Sequence, residues 1–344
     1  MIGGMLRVLI PFAISGLLLA ACSSSDPAPE PASEAAAEVT EAPEPAAQPA
    51  PEPEPAPEPA PEPAPEPEPE PAPTTTEAPR PTLTDITDLG TSGVSPHVER
   101  NDDGTLRLFY SSMEAGGTAV DLCSADLVCE RQGAIQRVSD VTALTTPAGE
   151  RRAYLVEFDP NTNDKVIYTA LISDDGLTLS GQTSLGISSE GAMAWGVPDA
   201  VVTPEGLVRL YWVEPGEGRA SERIVSATST DGTGTEFVRD DGDRITGGYV
   251  DFEVLRAADG DWLAVMSTSP ENLPASPQAI HVGTSPDGMT WTVDPAPLSS
   301  LDMSYLDPTG VEDENGNWLL VLAVPPNAMG DRDYTMSKAT LTLP

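Results

Sequence analysis

The residues best suited to chemistry fall in five short segments. They are Gly93-Val94-Ser95-Pro96-His97, Ser139-Asp140-Val141, Trp195-Gly196-Val197-Pro198-Asp199, Tyr249-Val250-Asp251-Phe252-Glu253 and Tyr305-Leu306-Asp307-Pro308-Thr309. Every segment but the first carries a carboxylate, and the first carries His97, one of only two histidines in the chain. Asp199, Asp251 and Asp307 are the candidates for catalytic work, in which one carboxyl flanking a scissile bond is kept protonated by its surroundings and another is ionised. A separation of roughly 6.5–9.5 Å would suit an inverting displacement, and about 5–5.5 Å a retaining one. His97, Asp140, Glu253 and the aromatics Trp195, Tyr249 and Tyr305 are the candidates for binding. Carboxylates hydrogen-bond hydroxyl groups, and ring faces stack on the C–H faces of a pyranose. The same carboxylates could instead cap turns at strand starts.

These segments also exclude chemistries. None contains Arg or Lys, so the bidentate guanidinium recognition that an anionic sugar requires is missing. Zinc does not fit, because His97 and His281 are far apart and no Cys/His spacing is present. Calcium would suit an oxygen-rich ligand set, but no cofactor is required by the pattern. No glycine-rich phosphate loop follows a strand.

The elements that must position the segments form an internal repeat. Asp103-Gly104, Glu205-Gly206, Asp259-Gly260 and Asn315-Gly316, with Ala148-Gly149 as a weaker fifth, each precede an alternating apolar run such as Leu207-Val208-Arg209-Leu210-Tyr211-Trp212. A second marker follows in each unit: Ser124-Ala125-Asp126, Ser173-Asp174-Asp175-Gly176, Ser229-Thr230-Asp231-Gly232, Ser285-Pro286-Asp287-Gly288 and Ser337. The glycines supply the positive φ of tight hairpin turns. Each unit therefore reads as four strands, starting near Val94, Val138, Val197, Val250 and Leu306. Five such units predict an all-β, five-bladed β-propeller of four-stranded antiparallel blades. No stretch has convincing helical periodicity. Residues 82–90 match the segments that end the earlier units, such as Leu179 to Gly186, while the last unit stops short near Pro344. The N-terminal segment is thus expected to supply the outer strand of blade five and close the ring.

The five units, Asp307-Pro308 opening the last of them, and Ser285-Pro286-Asp287-Gly288-Met289-Thr290-Trp291 resemble the five-bladed glycoside hydrolase propellers of the arabinanase and β-xylosidase type. The last motif also resembles the Asp-box of sialidases, one residue shorter between Asp287 and Gly288; there Asp287 is expected to cap a hairpin and Trp291 to pack between sheets. The resemblance covers residues 82–344. It implies the fold, with a site at one end of the central channel, and is silent on activity because propellers host many functions. The chain also departs from the pattern. The resembled hydrolases take an Asp base from the first blade, where this chain has Ser95-Pro96-His97, and a Glu acid from the third, where it has Pro198-Asp199. Three readings stay open: binding of an extracellular carbohydrate, hydrolysis of a neutral glycan by the channel-mouth carboxylates, and a non-enzymatic scaffold of the cell envelope.

Charge and composition divide the chain. It carries 55 acidic residues against 17 basic ones, a formal charge of −38. Residues 23–82 hold 20 of the 37 prolines and 14 of the acids, with Arg80 as the only base. Such a segment has almost nothing to bury and is expected to be disordered. Its Pro-Glu-Pro-Ala repeats favour extended polyproline II geometry, reaching about 170 Å at roughly 3.1 Å per residue. Residues 83–344 still carry 41 acids and 15 bases, a charge of −26. That excludes a nucleic-acid binder and a protein held to anionic lipid by a basic surface.

Residues 1–21 read as a secretory signal, with Arg7 as the only charge and a short apolar run from Val8 to Leu19. The run ends on Leu19-Ala20-Ala21-Cys22, which resembles the lipobox of bacterial lipoproteins and implies a lipid on the Cys22 sulfur. The expected organisation is a lipoprotein signal peptide (1–21), a lipidated Cys22 with its linker (22–81) and the propeller (82–344). The protein is expected at the cell envelope, outside the cytoplasm and lipid-anchored, as a monomer whose partners are the membrane and a carbohydrate. Ser23 beside the lipidated Cys points to the outer membrane if the cell has one. The two remaining cysteines, Cys123 and Cys129, are expected to form a disulfide, since an exported protein keeps such bonds and five intervening residues permit one.

Overall fold

A computed structural model of the chain describes residues 79–344, apart from 160, 163, 190–194, 218–220, 270–276 and 326–333. The signal segment, Cys22 and the linker up to residue 78 lie outside the described residues. What is described is all β, with no helix among these residues.

The strands group into five four-stranded sheets. Blade 1 is β2 (Val94–Arg100), β3 (Leu106–Ser112), β4 (Gly117–Cys123) and β5 (Cys129–Gln136). Blade 2 is β6 (Ser139–Thr145), β7 (Arg151–Phe158), β8 (Lys165–Ile172) and β9 (Leu179–Ser188). Blade 3 is β10 (Gly196–Val202), β11 (Val208–Glu214), β12 (Arg223–Ser229) and β13 (Phe237–Arg239). Blade 4 is β14 (Tyr249–Ala258), β15 (Asp261–Thr268), β16 (Ile280–Ser285) and β17 (Thr292–Val293). Blade 5 is β18 (Leu306–Glu312), β19 (Trp318–Val324), β20 (Thr335–Thr342) and, from the far end of the sequence, β1 (Thr82–Ser92). β1 lies antiparallel on β20, pairing Thr82 with Thr342 and Ser92 with Thr335. The N-terminal strand therefore closes the ring as its repeat pattern predicts, and removes the open edge a linear array would keep.

Five apolar clusters hold the blades together, each built largely from facing sheets of neighbouring blades. Trp212, Trp262, Tyr110, Tyr154, Tyr211 and Phe109 are the largest fully buried side chains. The Asp-box-like turn behaves as expected. Asp287 Oδ1 accepts from the Met289 and Thr290 amides at 2.8 and 2.7 Å, and Trp291 Nε1 donates to Gly288 O at 3.0 Å. The Trp291 ring then meets Phe252 and Trp262 edge-on. Gly288 is needed at this corner: its φ is +69°, and a Cβ there would lie 2.7 Å from the Trp262 ring. Cys123 and Cys129 face each other at the end of the β4–β5 pair and are disulfide-bonded.

Candidate functional site at the channel mouth

The innermost strands β2, β6, β10, β14 and β18 touch their neighbours in turn round a closed ring. Each carries the same irregularity. Its register on the second strand slips by one residue, between Val94 and His97, Ser139 and Thr142, Gly196 and Asp199, Val250 and Glu253, and Leu306 and Thr309. At each slip one non-glycine residue adopts a left-handed backbone: Ser95, Asp140, Val197, Asp251 and Asp307, with φ between 47° and 52°. Such a β-bulge leaves one residue unpaired and re-aims its side chain. Three of the bulges have Pro as the next residue, Pro96, Pro198 and Pro308, where the missing N–H costs no ladder bond.

The bulges sort the candidate residues into layers. The upper layer is formed by the five bulge residues themselves, and two residues further on comes a lower layer of His97, Thr142, Asp199, Glu253 and Thr309. Asp251 and Asp307 are therefore brought together with Asp140, whereas Asp199 lies one layer deeper beside Glu253 and His97.

In the upper layer the carboxylates link adjacent blades. Asp307 N–H donates to Asp251 Oδ2 at 3.3 Å, and Ser95 N–H donates to Asp307 Oδ2 at 3.0 Å. Ser267 Oγ also donates to Asp251 through a short bond. Burial, then the charge of Asp251, raise the Asp307 pKa well above the usual carboxylate range, and a bond donated to Asp251 keeps the proton on Asp307. Burial raises Asp251 too, against the bonds from Ser267 and Asp307 that favour its ionised form. The two carboxyls thus form one acid–carboxylate unit. Asp140, half-buried, adds a further negative charge nearby.

The lower layer repeats the linkage. Val254 N–H donates to Asp199 Oδ2 at 2.9 Å, Val98 N–H to Thr309 Oγ1 at 3.2 Å, and Thr309 Oγ1 to Glu253 Oε1 at 2.8 Å. His97 Nε2 lies 3.2 Å from the Ala143 amide and 3.3 Å from its carbonyl oxygen, accepting from the first when neutral and donating to the second when charged. Its Nδ1 faces Glu253 Oε1 at 3.5 Å, so residues of blades 1 and 4, which are not neighbours in the ring, meet across the channel. Burial alone would lower the imidazole pKa; Glu253, joined by Glu99 and Asp199, outweighs it and raises the value to about 9. At 3.5 Å the contact is long for a hydrogen bond, so the charge of Glu253 is the part of its influence that the geometry supports. Burial and then the Glu253 charge raise Asp199 well above the usual range. Among the described residues no cluster of three or more His, Cys, Asp or Glu side chains has the arrangement to hold a metal ion.

The three aromatic candidates occupy a different place from the one expected. Trp195, Tyr249 and Tyr305 each stand two residues before a bulge, and there the side chain points between blades. Trp195 is 4% exposed in the core shared by blades 2 and 3, and Tyr305 is 7% exposed in the core shared by blades 4 and 5. Neither offers an open ring face. Tyr249 is half-buried and stacks edge-on against His281. The groove beside Trp195, about 500 Å3, is lined also by Trp212, Glu214, Phe237 and Arg239. Its carboxylate is already saturated: Glu214 accepts from Trp212 Nε1, Arg223 and both terminal nitrogens of Arg239.

One group near the mouth end gives no sequence signal. Glu222 is 4% exposed, accepts from Ser269 Oγ at 2.8 Å through one oxygen, and leaves the other buried without a partner. It precedes the third strand of blade 3, outside the repeat position that marked the other acids.

The fold is that of the five-bladed glycoside hydrolase propellers. An endo-arabinase from Bacteroides thetaiotaomicron is similar over 76% of this chain and 99% of its own, with a TM-score of 0.55 and 14% identity. An endo-1,4-beta-xylanase from the same organism matches over 75% and 97%, with a TM-score of 0.54 and 12% identity. A xylan beta-1,4-xylosidase from Bacillus halodurans matches 76% of this chain and 54% of its own, with a TM-score of 0.54 and 13% identity. At these identities the likeness is one of fold. No protein-family model and no curated protein matches the chain.

Proposed function

We propose that the propeller is an exported, lipid-anchored carbohydrate-binding protein whose channel mouth holds a neutral glycan without cleaving it. The observation that carries this reading is that Asp251 and Asp307 are buried and each already accepts a backbone amide of the next blade. Carboxyls buried and tied into neighbouring strands in this way are not free to flank a scissile bond at the separations hydrolysis requires. Asp199, one layer down and tied to the Val254 amide, is 3% exposed and is not available to oppose them. The fold shared with enzymes described as acting on arabinan and xylan supports a neutral polysaccharide as the ligand class. Asp140, with Ser95 beside it in the upper layer, is the half-buried group left to bond sugar hydroxyls.

A catalytic alternative has one specific support. Asp307 carries the raised pKa that a general acid needs, and Asp140 is a second carboxylate in the same layer. The experiment that separates the two is retention on immobilised arabinan and xylan, run beside an assay for released reducing sugar. Retention without release, lost in Asp140→Asn, supports binding; release abolished by Asp307→Asn supports hydrolysis.

A further inference from the structure

The mouth of the ring is not equally open on all sides. In each blade the residue before the bulge pairs with the second strand: Val94 with Ser111, Ser139 with Val156, Gly196 with Val213, Val250 with Ser267 and Leu306 with Ala323. The innermost strands begin at the mouth, so the antiparallel second strands run toward it, and the residue two places further on stands at the rim. These rim residues are Met113, Phe158, Pro215, Ser269 and Pro325. The first three, on blades 1 to 3, are exposed, whereas Ser269 and Pro325, on blades 4 and 5, are buried. The bulge residues beneath them divide in the same way: Ser95, Asp140 and Val197 are half-buried, and Asp251 and Asp307 are buried. Asp140 lies in the middle of the open sector. Its amide donates to Ser111 Oγ at 3.2 Å, two residues before Met113, and its neighbour Ser139 pairs with Val156, two residues before Phe158. Asp140 Oδ2 accepts from Ser139 Oγ at 3.3 Å, which leaves Oδ1 without a partner among the described residues. Gly196 keeps the blade 3 side of this carboxylate clear, since a Cβ there would touch Asp140 Oδ2 at 3.6 Å. Met113 is 99% exposed and Phe158 56%, and neither belongs to an apolar cluster.

We propose that the glycan binds off the ring axis, across the open sector of blades 1 to 3, as a run of pyranose units: Phe158 and Met113 meet the C–H faces of the sugar on either side of Asp140, whose free oxygen takes a hydroxyl. The inference deepens the carbohydrate-binding reading and rests on it. An ionised carboxylate only accepts hydrogen bonds, so Asp140 fixes hydroxyl groups and leaves the remainder of the sugar to non-polar contact. A pyranose chair carries a flat face of C–H groups that lies against an aromatic ring. A thioether on an unbranched side chain adapts to the irregular surface beside it. A puckered furanose has no such flat face, and the sector therefore favours a xylan-type backbone over an arabinan-type one.

The test is retention of the full-length chain, solubilised in detergent, on immobilised xylan and on immobilised arabinan. Wild-type protein is compared with Phe158→Ala, Met113→Ala and Leu301→Ala. Leu301, 53% exposed in the segment that leads from blade 4 into blade 5, lies outside the open sector and is the control. All three changes fall at exposed positions, so the variants keep the fold. Wild-type protein should be held more tightly on xylan than on arabinan. Phe158→Ala should weaken retention on xylan about tenfold and Met113→Ala about threefold, through lost apolar contact, while Leu301→Ala matches the wild type. Retention of Phe158→Ala equal to wild type, a loss in Leu301→Ala as large as in Phe158→Ala, or tighter retention on arabinan overturns the off-axis pyranose site; wild-type retention then still upholds the binding reading. Wild-type protein retained on neither polymer overturns that reading, and this inference with it.

Discussion

In the Asp251–Asp307 pair the two carboxyls face different sets of donors. Asp251 accepts from the Ser267 hydroxyl, the Asp307 amide and the Asp307 carboxyl, whereas Asp307 accepts one amide and donates one proton. An Asn at 307 reproduces both roles, so Asp307→Asn should change stability by less than about 1 kcal/mol. An Asn at 251 turns an N–H2 toward groups that also donate, and Asp251→Asn should cost about 2–3 kcal/mol. Denaturant unfolding of the two variants measures the difference, and equal costs would dissolve the acid–carboxylate unit. His97 gives a pH dependence of definite sign. Its folded pKa is raised from 6.5 to about 9, so its contribution is complete below pH 6.5 and is lost as pH rises through 9. Asp307 acts in the same direction from a lower starting point, because the folded state retains a proton that the unfolded chain releases above about pH 4. Unfolding free energy should therefore fall between pH 6.5 and 9, and His97→Gln should flatten that fall. An unchanged slope in the variant would assign the titration to another group.

The blades themselves were legible because their turns are chemical. Asp103-Gly104 and its counterparts, and Ser285-Pro286-Asp287-Gly288 and its counterparts, need positive φ and carboxylate caps that few residues supply. The Asp287 carboxylate satisfies two amides and the Ser285 hydroxyl, so Asp287→Ala should cost about 1–2 kcal/mol in thermal or denaturant unfolding. A neutral effect would mean that Trp291 alone holds this corner. The layering of the site was not legible, because period-two alternation predicts the facing of a side chain only while the register is continuous. The bulge at Asp251 advances the strand by one residue. It sets Asp251 and Glu253 in successive layers, with Asp199 level with Glu253, and the bulges at Val197 and Asp307 leave Trp195 and Tyr305 in the cores. Sequence shows Ser-Pro, Val-Pro and Asp-Pro at three of these positions, and nothing in those pairs signals a left-handed residue before the proline. Val197 is the costliest case, since its branched Cβ makes φ of 47° strained.

For the whole molecule, closure and charge work at different levels. β1 brings residues 82–92 to the last blade and converts an array of five repeats into a ring with one shared centre. That centre concentrates the acids that matter, while most of the other acids among the described residues are exposed or half-buried, where salt screens their self-repulsion. At this scale the proposed function is that the mouth of the ring binds neutral glycan and does not turn it over. Its most direct test is equilibrium retention of the soluble propeller on arabinan and xylan, with product release followed in the same tubes. Wild-type protein should be retained with no sugar released, and Asp140→Asn should be retained about tenfold less, the loss of one hydrogen bond to a charged acceptor. Absence of retention, or release of sugar by the wild-type protein, would rule out a non-cleaving glycan-binding mouth.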